Sequence, residues 1–221
     1  MLRMMQAAAL DALAVLLPVE CAGCGAWDRA VCSRCRDALE PCARSRELGD
    51  GLRVWAGLEY EGIARSVMLA LKAQQRVDAA RALAPALACA VRAAAAAGRA
   101  DGVEVVAVPG TRAAYRRRGY DPVRLLISRA GLGASRVFAA ARPHRAQKEL
   151  SVDERDRNLR GSFRLTASVA GHGILLIDDV VTTGATLREA ARVLREGGAE
   201  VVGAAVVAST ERRFAASEPS R

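Results

Sequence analysis

The sequence predicts an α/β protein, a parallel sheet flanked by helices, with a small N-terminal zinc-knuckle module. Three observations carry this. Apolar runs at 103–110 (VEVVAVPG), 173–177 (GILLI) and 199–208 (AEVVGAAVVA) have the length and composition of buried strands. A helix-period segment, TLREAARVLREGG, joins the second run to the third, making a strand–helix–strand unit that favours parallel pairing. Four cysteines near the start, CAGCGAWDRAVCSRC, form two Cys-x-x-Cys pairs separated by seven residues.

In chain order, residues 4–17 read as an amphipathic helix ended by Pro18. As an export signal the start fails: Arg3 is its one positive charge, Asp11 interrupts the apolar stretch, and no small-residue cleavage site follows. No run reaches the roughly 18 apolar residues that cross a bilayer, so a cytoplasmic protein without a membrane span is expected. Residues 1–47 are assigned to this helix and the metal module, 48–210 to the α/β domain and 211–221 to a polar tail. LRVWAGLEYEG (52–62) alternates like a strand or hairpin and ends at a glycine turn. Residues 63–97 are Ala/Leu/Arg-rich helices, with Pro85 either starting a new helix or kinking one. Residues 122–131 are helical by pattern. In the helix after the second strand, Leu187, Ala190, Ala191 and Leu194 share a face, and Gly197-Gly198 ends it.

A Cys-x-x-Cys turn aims two thiolates at one point. Cys21, Cys24, Cys32 and Cys35 therefore make a tetrahedral Zn²⁺ site, with Gly23 and Gly25 allowing close backbone approach. An iron–sulfur cluster also takes four thiolates. Four protein ligands leave no open position, so the metal is expected to be structural. Cys42 has no partner ligands after it, and Cys89 reads as a small core residue.

Net charge is +9, and residues 112–164 alone carry 14 Arg or Lys against 5 Asp or Glu. A solvated basic face is one account of this; an anionic partner, phosphorylated small molecule or nucleic acid, is the other. Aromatics at 4% are too few for a broad base-stacking platform. His144 and His172 lack ligand spacing and read as surface residues; Lys72 and Arg116–Arg118 are weaker catalytic candidates, for which a solvated side chain is the favoured reading.

The densest chemistry lies in GILLIDDVVTTGATLREA (173–190). Asp178 and Asp179 leave the carboxyl end of a buried strand, where ligands of open α/β sheets bind. Adjacent carboxylates repel unless a cation or hydrogen-bond donors compensate, and a sugar diol, with or without a Mg²⁺ nearby, supplies that compensation. Thr182, Thr183, Gly184 and Thr186 then bring hydroxyls and backbone N–H groups to a helix N-terminus, an anion site. A helix cap explains Thr186 alone equally well, but not two acids together with so many hydroxyls. No Walker pattern is present. A 5-phosphorylated ribose fits the whole set.

ILLIDDVVTTGATL closely resembles the 5-phosphoribosyl diphosphate (PRPP) motif of type I phosphoribosyltransferases. From about residue 15 to 208 the chain resembles the ComF family, competence-associated and GntX-like proteins with an N-terminal zinc module. Its motifs are matched by Arg118-Gly119-Tyr120-Asp121, by Gln147, Leu150, Arg155 and Asn158, and by Phe163. Asp121-Pro122 departs from the more usual Asn-Gln, and the second downstream cysteine pair is reduced to Cys42. The resemblance implies a type I phosphoribosyltransferase-like sheet. It implies PRPP and Mg²⁺ bound by Asp178, Asp179, Val180, Thr182, Thr183, Gly184, Ala185 and Thr186. It implies a pyrophosphate loop at Pro109, Gly110, Thr111 and Arg112, with Asp178, Asp179 and Arg112 the catalytic candidates. The polar, basic segment 142–163, bearing Gln147, Arg155 and Asn158, suits a mobile hood that closes over such a site, a plain surface loop being the other account. The acceptor is unidentified. The other expectation is a non-catalytic PRPP sensor or a handler of single-stranded DNA tied to the competence machinery.

Overall fold

The computed structural model describes residues 19–97, 102–140 and 161–210. The expected helix at 4–17, the hood residues Gln147, Arg155 and Asn158, His144, and the 211–221 tail lie outside these residues.

A five-stranded sheet organises the chain in the order β3–β4–β9–β8–β5. Its strands are β3 (Arg44–Glu47), β4 (Arg53–Glu59), β5 (Glu104–Ala107), β8 (Gly173–Val181) and β9 (Glu200–Ser209). Every pairing is parallel except the β3–β4 hairpin at one edge. Parallel strands buried on both faces read as continuous apolar runs, and period-2 alternation divides their side chains. Leu175, Ile177, Ala205 and Val207 face one core; Ile174, Leu176, Ala204 and Val206 face the other.

Over the first face lie α2 (Gly62–Ala73), α3 (Ala80–Ala97, led by a 3-10 turn at Val77–Ala79) and α5 (Pro122–Arg129). They supply Met68, Leu71, Leu83, Leu87 and Leu126. Over the second face lies α6 (Ala185–Glu196), whose Leu187, Ala190, Ala191 and Leu194 are at most 1% exposed, the stripe its periodicity predicts. The alanines of α3 do more than favour helix. A Cβ on Gly57 of β4 would come within 2.1 Å of the Ala86 carbonyl oxygen, so helix and strand approach through small residues. Pro85 sits inside α3 on its exposed side, and the backbone bond it removes faces water.

Among the described residues one helical segment, Val77–Ala97, is long and apolar enough, by length and composition only, to cross a membrane. Arg81 and Arg92 interrupt it, so it holds no uninterrupted apolar run of spanning length. Its apolar side, Leu83, Ala86, Leu87 and Ala90, is packed into the core.

The cysteine segment contributes the β1 (Val19–Glu20) and β2 (Trp27–Asp28) ladder and α1 (Ser33–Asp37). Cys21, Cys32, Cys35 and Leu39 belong to the same core cluster as Val67, Met68 and Leu71. Several features escaped sequence reasoning, the edge strand β3 among them. Helix α4 (Arg112–Arg118) buries no residue and so has no apolar stripe; its only signals are the Thr111 N-cap and Gly119 at φ +77°. An antiparallel pair, β6 (Phe138–Ala140) with β7 (Phe163–Leu165), also escaped sequence reasoning, the Phe138 and Phe163 ring centroids lying 5.6 Å apart with the rings tilted by 46°.

Candidate functional site

Two loops leave the same carboxyl end of the sheet. β5 ends at Ala107, opposite Ile177, and the turn Pro109-Gly110-Thr111-Arg112 follows it. β8 continues four residues further, pairing with β9 through Val181. Asp178 and Asp179 therefore stand beyond the end of β5, beside that turn. A cavity of about 380 Å³ opens along the turn, bordered by Gly110, Arg112, Arg118, Tyr120 and Asp121.

Alternation sends the two acids to opposite faces of β8. Asp179 follows Leu175 and Ile177 towards α2, where Lys72 Nζ donates to its Oδ1 at 2.9 Å. This corrects the expectation that Lys72 is solvated. The sequence shows a lysine in a helix and cannot show that the helix ends above the acidic pair. Asp178 Oδ1 accepts the Asp179 N–H at 2.8 Å, and Asp179 Oδ1 the Val180 N–H at 2.7 Å. Burial, and then the neighbouring Asp179 charge, push the Asp178 carboxyl well above the usual range. Asp121 instead caps α5, accepting from the Val123 and Arg124 N–H groups at 3.0 and 3.3 Å.

The loop after β8 turns at Gly184, φ +80°, and α6 begins at Ala185 with no acidic residue in its first turn and no side-chain cap. Thr182 is exposed while Thr183, Ala185 and Thr186 are half-buried; Thr183 Oγ1 accepts the Ala185 N–H at 3.4 Å. The remaining first-turn N–H groups have no intrahelical partner, which is the helix-end chemistry that binds anions. Arg46 of β3, which sequence reasoning missed, holds the loop by donating from Nη2 to the Thr182 carbonyl at 2.6 Å. A Cβ on Gly184 would lie 2.3 Å from Leu48 Cδ1, in a backbone conformation that favours glycine. Gly184→Ala is expected to cost about 1–3 kcal/mol of stability and to disorder the loop, read as a lower denaturant midpoint.

The four cysteine sulfurs lie within 4.8 Å of one another, and Cys24 Sγ and Cys32 Sγ are 3.8 Å apart. Tetrahedral bonds of about 2.3 Å require sulfurs about 3.8 Å apart. Gly25 has φ +76°, and a Cβ on Gly23 would meet Cys35 Sγ at 2.7 Å, so both glycines serve close approach. Burial acts to raise the Cys21 thiol, but the N–H groups of Cys32, Cys24 and Gly23 outweigh it and bring it to about 6. The Ala26 N–H lowers Cys24, whereas burial and its neighbouring cysteines raise Cys35. A divalent cation resolves this mixture by favouring thiolate at every position. The residues fit a metal ion such as zinc. Cys42 is exposed and Cys89 half-buried, both apart from this cluster. His172, exposed as expected, pairs with Glu104 at 3.0 Å.

A model of the phosphoribosyl transferase domain matches residues 79–219. Over 103 residues the chain is 37% identical to the DNA utilization protein YhgH of Salmonella typhi, covering 44% of this chain and 45% of that protein. It is 30% identical to Competence protein F of Haemophilus influenzae over 106 residues, 44% and 46% of the two chains. Orotate phosphoribosyltransferase of Xanthomonas oryzae matches at 38% over 61 residues, 28% and 27% of the two. The matched segment thus spans less than half the length of these curated relatives.

Proposed function

Because this chain belongs to the phosphoribosyl transferase domain family, we propose that it binds PRPP with Mg²⁺ and transfers the phosphoribosyl group to an acceptor, releasing pyrophosphate. The observation that carries this reading is the acidic pair on β8, which runs directly into a glycine turn and an uncapped helix N-terminus. In this reading Asp178 and Asp179 accept the ribose 2- and 3-hydroxyls. Val180 and the Thr182, Thr183, Gly184, Ala185 and Thr186 loop receive the 5-phosphate through N–H groups and hydroxyls. Pro109, Gly110, Thr111 and Arg112 take the pyrophosphate. The C1–O bond breaks with its electron pair leaving on pyrophosphate, the acceptor's lone pair makes the new bond, and the Arg112 guanidinium balances the charge developing on the leaving group. Gln147, Arg155 and Asn158 belong to the hood that excludes water.

When bound, Mg²⁺ would supply charge neutralisation for the diphosphate, held at Asp178 and Asp179. The site suits it, since Asp178 and Asp179 offer hard oxygens and burial beside a second acid leaves the Asp178 carboxylate poorly compensated. The four-cysteine cluster holds one structural Zn²⁺, all four ligands coming from the protein. Residues 1–47 carry this metal module, 48–210 the transferase-like domain, to which β3 lends an edge strand, and 211–221 the tail. Reduced thiols as metal ligands agree with a cytoplasmic setting.

A second reading, a non-catalytic PRPP sensor or single-stranded-DNA handler linked to competence, draws on the names of the relatives, which concern DNA utilization and competence. Pyrophosphate release from PRPP and Mg²⁺ across a panel of nucleobases separates the two. Release with any acceptor supports transfer; Mg²⁺-dependent PRPP binding without release supports the second reading. Under that reading DNA affinity falls steeply with salt as counterions are released. PRPP then displaces DNA beyond the effect of an equal ionic contribution from pyrophosphate and Mg²⁺.

A further inference from the structure

We propose that Lys72 is the positioning residue of the PRPP site: its ammonium fixes the Asp179 carboxylate, and the Arg118–Asp121 turn fixes the helix end that carries it. This rests on the PRPP reading above and assigns a task to residues that reading leaves unused.

The geometry begins with helix-end chemistry. The last carbonyls of a helix lack intrahelical partners. At the end of α2, the Ala70 carbonyl accepts the Gln74 and Arg76 N–H groups at 3.2 and 3.1 Å. The next two are taken by side chains from far along the chain. Tyr120 donates its hydroxyl to the Leu71 carbonyl, and Arg118 Nε donates to the Lys72 carbonyl at 2.9 Å. Burial pushes the Tyr120 phenol up, so it keeps the proton it donates. Between them Gly119 takes φ +77°, the left-handed turn that brings Arg118 and Tyr120 to the same helix end. Asp121 then ends the turn by capping α5. The Arg-Gly-Tyr-Asp segment is thus a clamp on α2.

The clamp fixes the backbone of Lys72 itself, whose Nζ lies 2.9 Å from Asp179 Oδ1. The Lys72 side chain is 29% exposed and that of Asp179 11%, so the pair is partly desolvated and less screened than a surface pair. Two adjacent carboxylates would otherwise repel each other and a polyanionic substrate. Lys72 cancels one charge and fixes one carboxylate, leaving a pre-arranged diol acceptor. A lysine suits this role because a compact point charge holds one oxygen and leaves the other open. The residues just beyond this same helix end tie to the metal module: Arg76 Nη1 donates to the Glu20 carbonyl at 2.9 Å.

The test is a double-mutant cycle of Lys72→Met and Asp179→Asn, read both as Mg²⁺-dependent PRPP affinity by calorimetry and as thermal midpoint without ligand. Lys72→Met is expected to weaken PRPP binding about tenfold to hundredfold, the range for losing a hydrogen bond to a charged group. Lys72→Arg should recover affinity to within about fivefold because it restores the charge. In the Asp179→Asn background, Lys72→Met should cost less than about threefold more, because Lys72 acts through Asp179. Tyr120→Phe, which leaves both ion-pair partners intact, should weaken PRPP binding about threefold and carries the test if Lys72→Met does not fold. Coupling in the thermal midpoint with unchanged PRPP affinity would make Lys72 a strut of the fold and overturn the proposal. Parent protein that binds no PRPP would overturn the PRPP reading itself, and the positioning role with it.

Discussion

Replacing Asp178 and Asp179 together by Asn lowers Mg²⁺-dependent PRPP affinity by about 2 kcal/mol or more, roughly thirtyfold. The amides keep the volume of the acids and the acceptor oxygens for the Asp179 and Val180 N–H groups. What they lose is charge, and with it the stronger hydrogen bonds to ribose hydroxyls and the pairing with Lys72. Unchanged calorimetric affinity in the double variant would remove the acidic pair from the site. Asp178→Asn alone carries a second expectation for the ligand-free protein. The folded-state pKa of Asp178 lies above its unfolded value, raised by burial and by Asp179. Between those two values the folded protein binds the proton that the unfolded chain has released. Stability therefore falls as pH rises from the ordinary carboxylate range through the folded value. Asp178→Asn removes that fall, so at neutral pH its melting temperature should exceed the parent's while PRPP affinity is lower.

Loss of the metal costs about 4 kcal/mol or more, because a four-thiolate site and the fold around it form together. Metal analysis of purified protein should give about one Zn²⁺ per chain, and Cys21→Ser should lose metal and solubility together. The effect should reach the PRPP site. Cys21, Cys32 and Cys35 share a core with Val67, Met68 and Leu71 of α2, the helix that carries Lys72. Chelation is therefore expected to lower the melting temperature and PRPP affinity in the same titration. A metal-free preparation with the parent's melting curve would refute a structural role for zinc.

Sequence alone determined the elements whose signal is local. The apolar runs of β5, β8 and β9 identify themselves because a parallel strand is buried on both faces. The stripe of α6 identifies itself because burial on one side imposes a 3.6-residue period. The cysteine cluster was legible because ligand geometry restricts spacing along the chain. The DDVVTTGAT segment was legible because strand end, acids, glycine turn and helix start are consecutive.

The tertiary structure alone decided what depends on distant segments meeting. Lys72 joins Asp179 from 107 positions away, and Arg46 reaches the Thr182 carbonyl from 136. β3, adjacent in sequence to the cysteines, pairs with β4 as the sheet edge. Arg118 and Tyr120 cap a helix some fifty residues earlier, at sequence separations of 46 and 49. No periodicity marks such partners, because a charged or hydroxylated side chain on a helix has the same local pattern whether it faces water or a buried carboxylate. Only the crossing of α2 over the end of β8 makes that choice, and the clamp on α2 holds it.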